Sequence, residues 1–156
     1  MIKFAGKIIG KRNYPYVYFI IKDSYLYIGE TQDIPIRRWR DHLDINGSFS
    51  KKLRSMNEDV FYESSDIKFY AYKCKKIKEN AKEVERRLVT QYVEHRLHEE
   101  IICHRDIGPK FEIISNTIRT APKRCKYDWA DDLVRDVISE FVAEINCSNW
   151  IAPQCS

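Results

Sequence analysis

Tyr16-Val17-Tyr18-Phe19-Ile20-Ile21, the break Lys22-Asp23-Ser24, and Tyr25-Leu26-Tyr27-Ile28 closed by Gly29 decide how this chain begins to fold. Both runs are β-branched and aromatic, residue types that suit a pleated, half-buried surface, and the polar break is short enough for a β-hairpin. Period-two alternation puts Tyr16 and Tyr18 on one face of the first strand, and Tyr25 and Tyr27 on one face of the second. A face of phenols is an unusual core, because each buried hydroxyl needs a hydrogen-bond partner.

Downstream of the hairpin, Pro35 stands where a helix would begin, and Ile36, Trp39 and Leu43 recur at helical spacing until Asn46-Gly47, which predicts a helix over 36–45. Residues 48–57 are basic and long enough for one or two helical turns. Ile67 to Tyr72 alternates as a third strand. A helix is expected from Lys76 to about Leu97, with Ile77, Ala81, Val84, Leu88 and Tyr92 on its apolar side. Residues 103–126, interrupted by Gly108-Pro109 and Ala121-Pro122, carry no clear period. Trp129, Leu133, Val137, Phe141 and Ile145 then step by four behind Asp128, the pattern of an amphipathic helix. The order β-β-α-β-α with a helical tail predicts an α+β fold: a small antiparallel three-stranded sheet flanked by helices, with a C-terminal amphipathic helix. Residues 1–110 form the expected main domain, and 111–156 a helical extension that packs on the core or makes a dimer contact.

The 156 residues are 44% hydrophobic and 13% aromatic, enough for one core. The net charge of +4 is unevenly placed. Residues 128–145 hold six carboxylates against Arg135 alone, a balance of −5, so the first 127 residues carry +9. Such an excess suits a polyanionic partner. No apolar run approaches the roughly 20 residues needed to cross a bilayer. Cys74, Cys103, Cys125, Cys147 and Cys155 are odd in number and form no CxxC pair, which fits reduced thiols and a cytoplasmic location.

Two helices carry candidate chemistry. With Val84 at zero on a helical wheel, Glu85 falls near 100°, inside the apolar stripe, whereas Glu83, Arg86, Arg87, Thr90 and Glu94 read as a solvated face. A carboxylate among apolar neighbours is costly unless it is paired or binds a cation. In Arg37-Arg38-Trp39-Arg40-Asp41-His42, Arg38 and His42 share a face, and the guanidinium fork matches phosphate oxygens. Each feature alone also fits an ordinary basic or amphipathic helix.

Taken in order, these pieces resemble the GIY-YIG endonuclease family. Val17-Tyr18 is similar to the Ile-Tyr of its first half-motif and Tyr27-Ile28-Gly29 repeats the second. Arg38-Trp39-Arg40-Asp41-His42 resembles the family's arginine with a histidine four residues on, and Glu85-Arg86-Arg87-Leu88-Val89 its glutamate followed by two apolar residues. Tyr16 stands in place of the first glycine; spacing from Gly29 favours Arg37, while Trp39 and His42 favour Arg38, which is taken as the catalytic arginine. No asparagine follows Glu85 before Asn116, so the asparagine of some family members has no counterpart at the usual spacing.

The resemblance implies a free-standing nuclease of restriction or phage type acting on double-stranded DNA, with one Mg²⁺ or Mn²⁺ on Glu85. It implies that Tyr18 acts as or positions the general base, that Tyr27 is its partner, that Arg38 holds the phosphate, and that His42 assists. Arg37, Arg40, Lys51, Lys52 and Arg54 would follow the DNA backbone, and Gly29 would let the strand turn or approach a ligand. A homodimer would suit cleavage of both strands. Rival readings are a non-catalytic nucleic-acid-binding module on the same basic face, RNA as the substrate, and a zinc site at His95, His98, Cys103 and His104, whose spacing is not a standard one.

Overall fold

A computed structural model describes residues 2–6, 15–56, 67–74, 82–115 and 129–146. Its elements are β1 (Ile2–Gly6), β2 (Tyr16–Lys22), β3 (Tyr25–Thr31), α1 (Pro35–Leu43), α2 (Ser48–Ser55), β4 (Ile67–Lys73), α3 (Glu83–Cys103), a 3₁₀ turn (Gly108–Lys110), β5 (Glu112–Ile113) and α4 (Trp129–Asn146). The fold is α+β, with helices on both faces of one sheet.

The hairpin forms in the register that its two-residue loop dictates, Lys22 opposite Tyr25 and Tyr18 opposite Gly29. Asp23 takes a positive φ of 52°, which a short polar side chain tolerates in a tight turn. β2 is buried along its whole length because β3 and β4 pair with it antiparallel on either side. Its side chains therefore enter two cores. Val17, Phe19 and Ile21 point to the layer of α3 and α4, with Val93, Leu97, Val137 and Phe141. Tyr18 and Ile20 point to the layer of α1 and α2, with Trp39, Phe49 and Phe69. A central strand covered on both faces reads as an unbroken apolar run, which is what the sequence shows.

The expected three-stranded antiparallel sheet is the centre of a larger, mixed one, in the order β1-β4-β2-β3-β5. β1 runs parallel to β4 and β5 parallel to β3. Parallel partners lie far apart in the chain, so no local turn announces them, and β5 is only two residues long. Residues 112–113, assigned from sequence to the extension, thus complete the sheet of the main domain.

Helix α1 begins at Pro35 as expected, but ends at Leu43, two residues early. Gly47 explains the stop, since a Cβ there would lie 2.1 Å from the Asp41 carbonyl oxygen, so the chain doubles back against α1. α3 departs further from expectation, for it runs six residues beyond Leu97, and Val89, Val93, Leu97 and Ile101 form its buried stripe. Val84 and Leu88, the expected apolar side, are 68% and 48% exposed. Ile77 and Ala81 lie outside the described residues. The C-terminal half of the helix, pressed on the sheet, sets which face turns inward. No helix among the described residues is long and apolar enough to cross a membrane.

α4 buries Leu133, Val134, Val137 and Phe141 in the first core, and the Phe141 ring stacks on Phe19 with centroids 4.1 Å apart. Replacing a fully buried Phe by Ala leaves a cavity costing about 3 to 5 kcal/mol. Phe141→Ala is accordingly expected to lower the urea unfolding midpoint by that equivalent; an unchanged midpoint would show that α4 does not stabilise the sheet.

Candidate active site

Tyr18 is the centre of the site. Its phenol leaves β2 and crosses the neighbouring strand at Gly29, where a Cβ would stand 2.3 Å from both Cζ and the hydroxyl oxygen. Gly29 does not turn the chain, since β3 continues to Thr31; its missing side chain makes room for Tyr18. The hydroxyl, 1% exposed with its residue, lies 2.7 Å from Nε2 of His42.

The direction of that hydrogen bond follows from the other ring nitrogen. His42 Nδ1 accepts the backbone N–H of Phe49 at 3.3 Å, so it carries no proton in the neutral ring. Nε2 then holds the proton and donates it to Tyr18 Oη. The tautomer is fixed by α2, whose first turn also bonds Ser50 Oγ to the His42 carbonyl at 2.7 Å. Burial, and then the charge of Arg38, push the His42 pKa down to about 3, so the ring stays neutral over the physiological range.

Arg38, on the neighbouring turn of α1, sets its positive charge close to the Tyr18 phenol. Arg37 points elsewhere, 3.6 Å from Asp33, so the geometry brings Arg38 and not Arg37 to the tyrosine. With His42 Nε2–H donating to its oxygen, Tyr18 keeps its own O–H for another partner. Burial raises its pKa above the ordinary phenol value, the nearby Tyr27 raises it further, and Arg38 opposes both. Tyr18 is therefore protonated in the resting protein. Tyr27 is half-buried and sets its ring edge against His42, with centroids 4.7 Å apart.

Arg38 and His42 open into a cleft of about 410 Å³, whose rim includes Arg40, Asn46 and Ser48. Lys51 is exposed and Lys52 half-buried on α2. Arg54 bonds the Ile45 carbonyl and so fastens α2 to the preceding loop. Trp39 packs in the core against Phe69, with centroids 5.0 Å apart.

The glutamates of α3 divide between its two flanks. Glu85 is half-buried in the first turn. Nine residues on, Glu94 lies about 180° around the helix from it, so both cannot face one site. Thr90, Glu94 and His98 follow one another at single-turn spacing, and the outer two are fixed to β3 and its surroundings. Thr90 Oγ1 accepts from Gln32 Nε2 at 2.8 Å, just beyond the end of β3, and His98 Nε2 lies 2.6 Å from Ser115 Oγ, which in turn holds the Ile28 amide at 3.0 Å. Glu94 lies on the same flank of α3 between these anchors, and its charge is the smallest of the influences on the Tyr18 pKa, which it raises. Counting from Val84 places Glu94 on the solvated face, whereas counting from Val89, Val93, Leu97 and Ile101 places it on the Thr90 and His98 flank, where it is half-buried.

The zinc alternative does not assemble. His95 pairs with Glu99 at 2.8 Å, His98 is engaged by Ser115, and His104 Nδ1 accepts amides of Asp106 and Ile107 at 3.1 and 3.3 Å. Among the described residues no three His, Cys, Asp or Glu side chains are grouped to hold a metal. Cys74 and Cys103 are free thiols, and burial pushes Cys74 up to about 12. Asn116 lies outside the described residues.

The family model of the GIY-YIG catalytic domain matches residues 14–97, more than half of the chain, and the protein belongs to that nuclease family. No curated protein and no solved structure matches the chain.

The depressed His42 pKa has a consequence for stability. Between its ordinary value of 6.5 and about 3, the unfolded chain binds a proton that the folded ring refuses, so stability falls as pH falls through this window. His98, lowered chiefly by burial, acts in the same sense. The urea midpoint is expected to drop from pH 6.5 to pH 4, and His42→Gln to flatten that slope. An equal slope in the variant would mean that His42 is charged in the folded protein.

Proposed function

We propose that this protein is a metal-dependent endonuclease that hydrolyses phosphodiester bonds of double-stranded DNA. The observation that carries the reading is the hydrogen bond of His42 Nε2–H to the Tyr18 oxygen with the charge of Arg38 acting on the same phenol, next to a cleft lined by Arg38, Arg40, Asp41, His42 and Asp44. A buried phenol given a hydrogen-bond donor and a nearby guanidinium charge is prepared to carry negative charge, although burial still keeps its proton on. Arg38 is exposed and lines the cleft, so its guanidinium N–H groups can meet a phosphate.

The chemistry of the donors fits a hard divalent cation. Carboxylate and phenol oxygens are available, whereas thiols lie elsewhere and both nitrogens of His42 are occupied. One carboxylate with water and phosphate oxygens suffices for Mg²⁺ or Mn²⁺. Two glutamates are candidates for that ligand. The family pattern points to Glu85; the place of Glu94 on the Thr90 and His98 flank of α3, and the reach of its charge to Tyr18, favour Glu94. When bound, the ion supplies positive charge that activates a water and steadies the phosphate in the transition state.

The remaining steps belong to the chain. Arg38 orients the phosphate and balances its growing charge. Tyr18, its pKa lowered by the added positive charge, releases its own proton to solvent; His42, neutral and fixed in its tautomer, holds the phenolate, which takes the proton of the attacking water and returns to the phenol. Tyr27 packs the imidazole in place. Arg40, Lys51 and Lys52 contact the flanking backbone, and two copies acting on one duplex would cut both strands.

Plasmid cleavage with Mg²⁺, Mn²⁺ or EDTA tests this reading, beside Arg38→Ala, Glu94→Gln and Glu85→Gln. Cutting should require the ion, and removing Arg38 should cost roughly 100-fold or more, the scale of a lost transition-state donor. Glu94→Gln is expected to abolish cutting and Glu85→Gln to spare it; the reverse order would return the metal to Glu85. DNA binding without cutting under every condition would sink the nuclease reading in favour of a binding module.

A further inference from the structure

Outside the Tyr18 cluster, the most completely specified polar group in the described protein is His98, 4% exposed beneath α3, with Ser115, 9% exposed, beside it. Its hydrogen bonds determine their own directions. His98 Nδ1 lies 2.8 Å from the Glu94 carbonyl, which can only accept, so Nδ1 carries the proton. Nε2 is then an acceptor, and the Ser115 hydroxyl 2.6 Å away donates to it. The Ser115 oxygen in turn accepts the Ile28 amide at 3.0 Å. The relay runs in one sense, from Ile28 N–H through Ser115 and His98 to the Glu94 carbonyl, an arrangement in which each bond polarises the next.

This relay stands where the sheet gives out. β5 pairs with β3 only at Tyr25 and Leu26, and the Ile114 amide reaches the Leu26 carbonyl at 2.9 Å. The next amide along β3, Ile28, is taken by the side chain of Ser115. Gly29, the residue over which Tyr18 lies, follows immediately. The relay therefore joins the peptide of Glu94 to the residue before the tyrosine cradle.

We infer that His98 and Ser115 are positioning residues, which set the Glu94 flank of α3 against the edge of β3 so that the carboxylate stands beside Tyr18. The inference rests on the reading of Glu94 as the ion-holding carboxylate. A hydroxyl that merely stabilised the fold would affect unfolding without altering cation binding once the protein is folded. A positioning pair alters cation binding in the folded protein, typically by 10- to 100-fold when such an outer partner is lost.

The test uses the full ¹⁵N-labelled chain titrated with Mn²⁺, following broadening of the Gly29 amide, together with exchange of the Ile28 amide. Ser115→Ala and His98→Asn, the latter too short to reach Ser115, are expected to need at least roughly tenfold more Mn²⁺ for equal broadening. Ile28 should exchange faster in both. Ser115→Thr and His98→Gln, which keep the hydroxyl and the reach, should restore both signals. If Ser115→Ala and His98→Asn titrate like the intact protein while Glu94→Gln does not, the positioning role is wrong and the Glu94 reading stands. If Glu94→Gln also leaves the broadening unchanged, or the intact chain shows none, the Glu94 reading fails and the inference with it. Failure of both conservative variants to restore binding would equally overturn it.

Discussion

A phenol hydroxyl that is taken out of water has to be given hydrogen bonds, and Tyr18 meets this requirement in the middle of an aromatic core. The neighbouring structure follows from that need. Gly29 lacks a side chain so that the ring can cross β3. α1 must present Arg38 and His42 one turn apart, and α2 must begin close enough for the Phe49 amide to take His42 Nδ1. Gly47 permits that close return of the chain. The burial that makes the hydroxyl costly also makes its donors effective, because charge and dipoles act more strongly away from water.

The opposite face of the sheet has a different task. α3 and α4 bury an almost purely apolar layer on Val17, Phe19 and Ile21, fixing the plane from which Tyr18 projects the other way. α3 nevertheless belongs to both faces, because its Thr90, Glu94 and His98 flank passes along the strand edge that β5 leaves uncovered. Short β5 is consistent with this arrangement, since a longer strand would occupy the edge that Ser115 and His98 use.

Much of this was legible in the residues. The hairpin, the third strand, α1 with its Arg38 and His42 pair, and the amphipathic α4 follow from patterns a few residues long, and each pattern has a local physical cause; the register was not among them, since Lys22, read as part of the turn, pairs with Tyr25 in the strand. The face of α3 was misread from Val84 and Leu88, two apolar residues left exposed near the start of a helix whose later turns carry the packing. A stripe of four valines, leucines and isoleucines at i, i+4 spacing outweighs two at the end, and Glu94 moves from solvent to the strand edge with that choice. β1 and β5 were missed because a parallel partner brings no hairpin turn with it.

The sequence by itself determined the family, the central antiparallel strands, and the gathering of Tyr18, Tyr27 and His42 with an arginine of α1, because these lie on elements whose period or turn chemistry is written in neighbouring residues. Only the tertiary structure decided that Arg38 and not Arg37 meets Tyr18, which nitrogen of His42 carries the proton, why position 29 is glycine, and which flank of α3 lies along β3. Those choices depend on contacts between residues far apart in the chain, such as His98 with Ser115 and Ile28, and no local period encodes the rotation of one element against another.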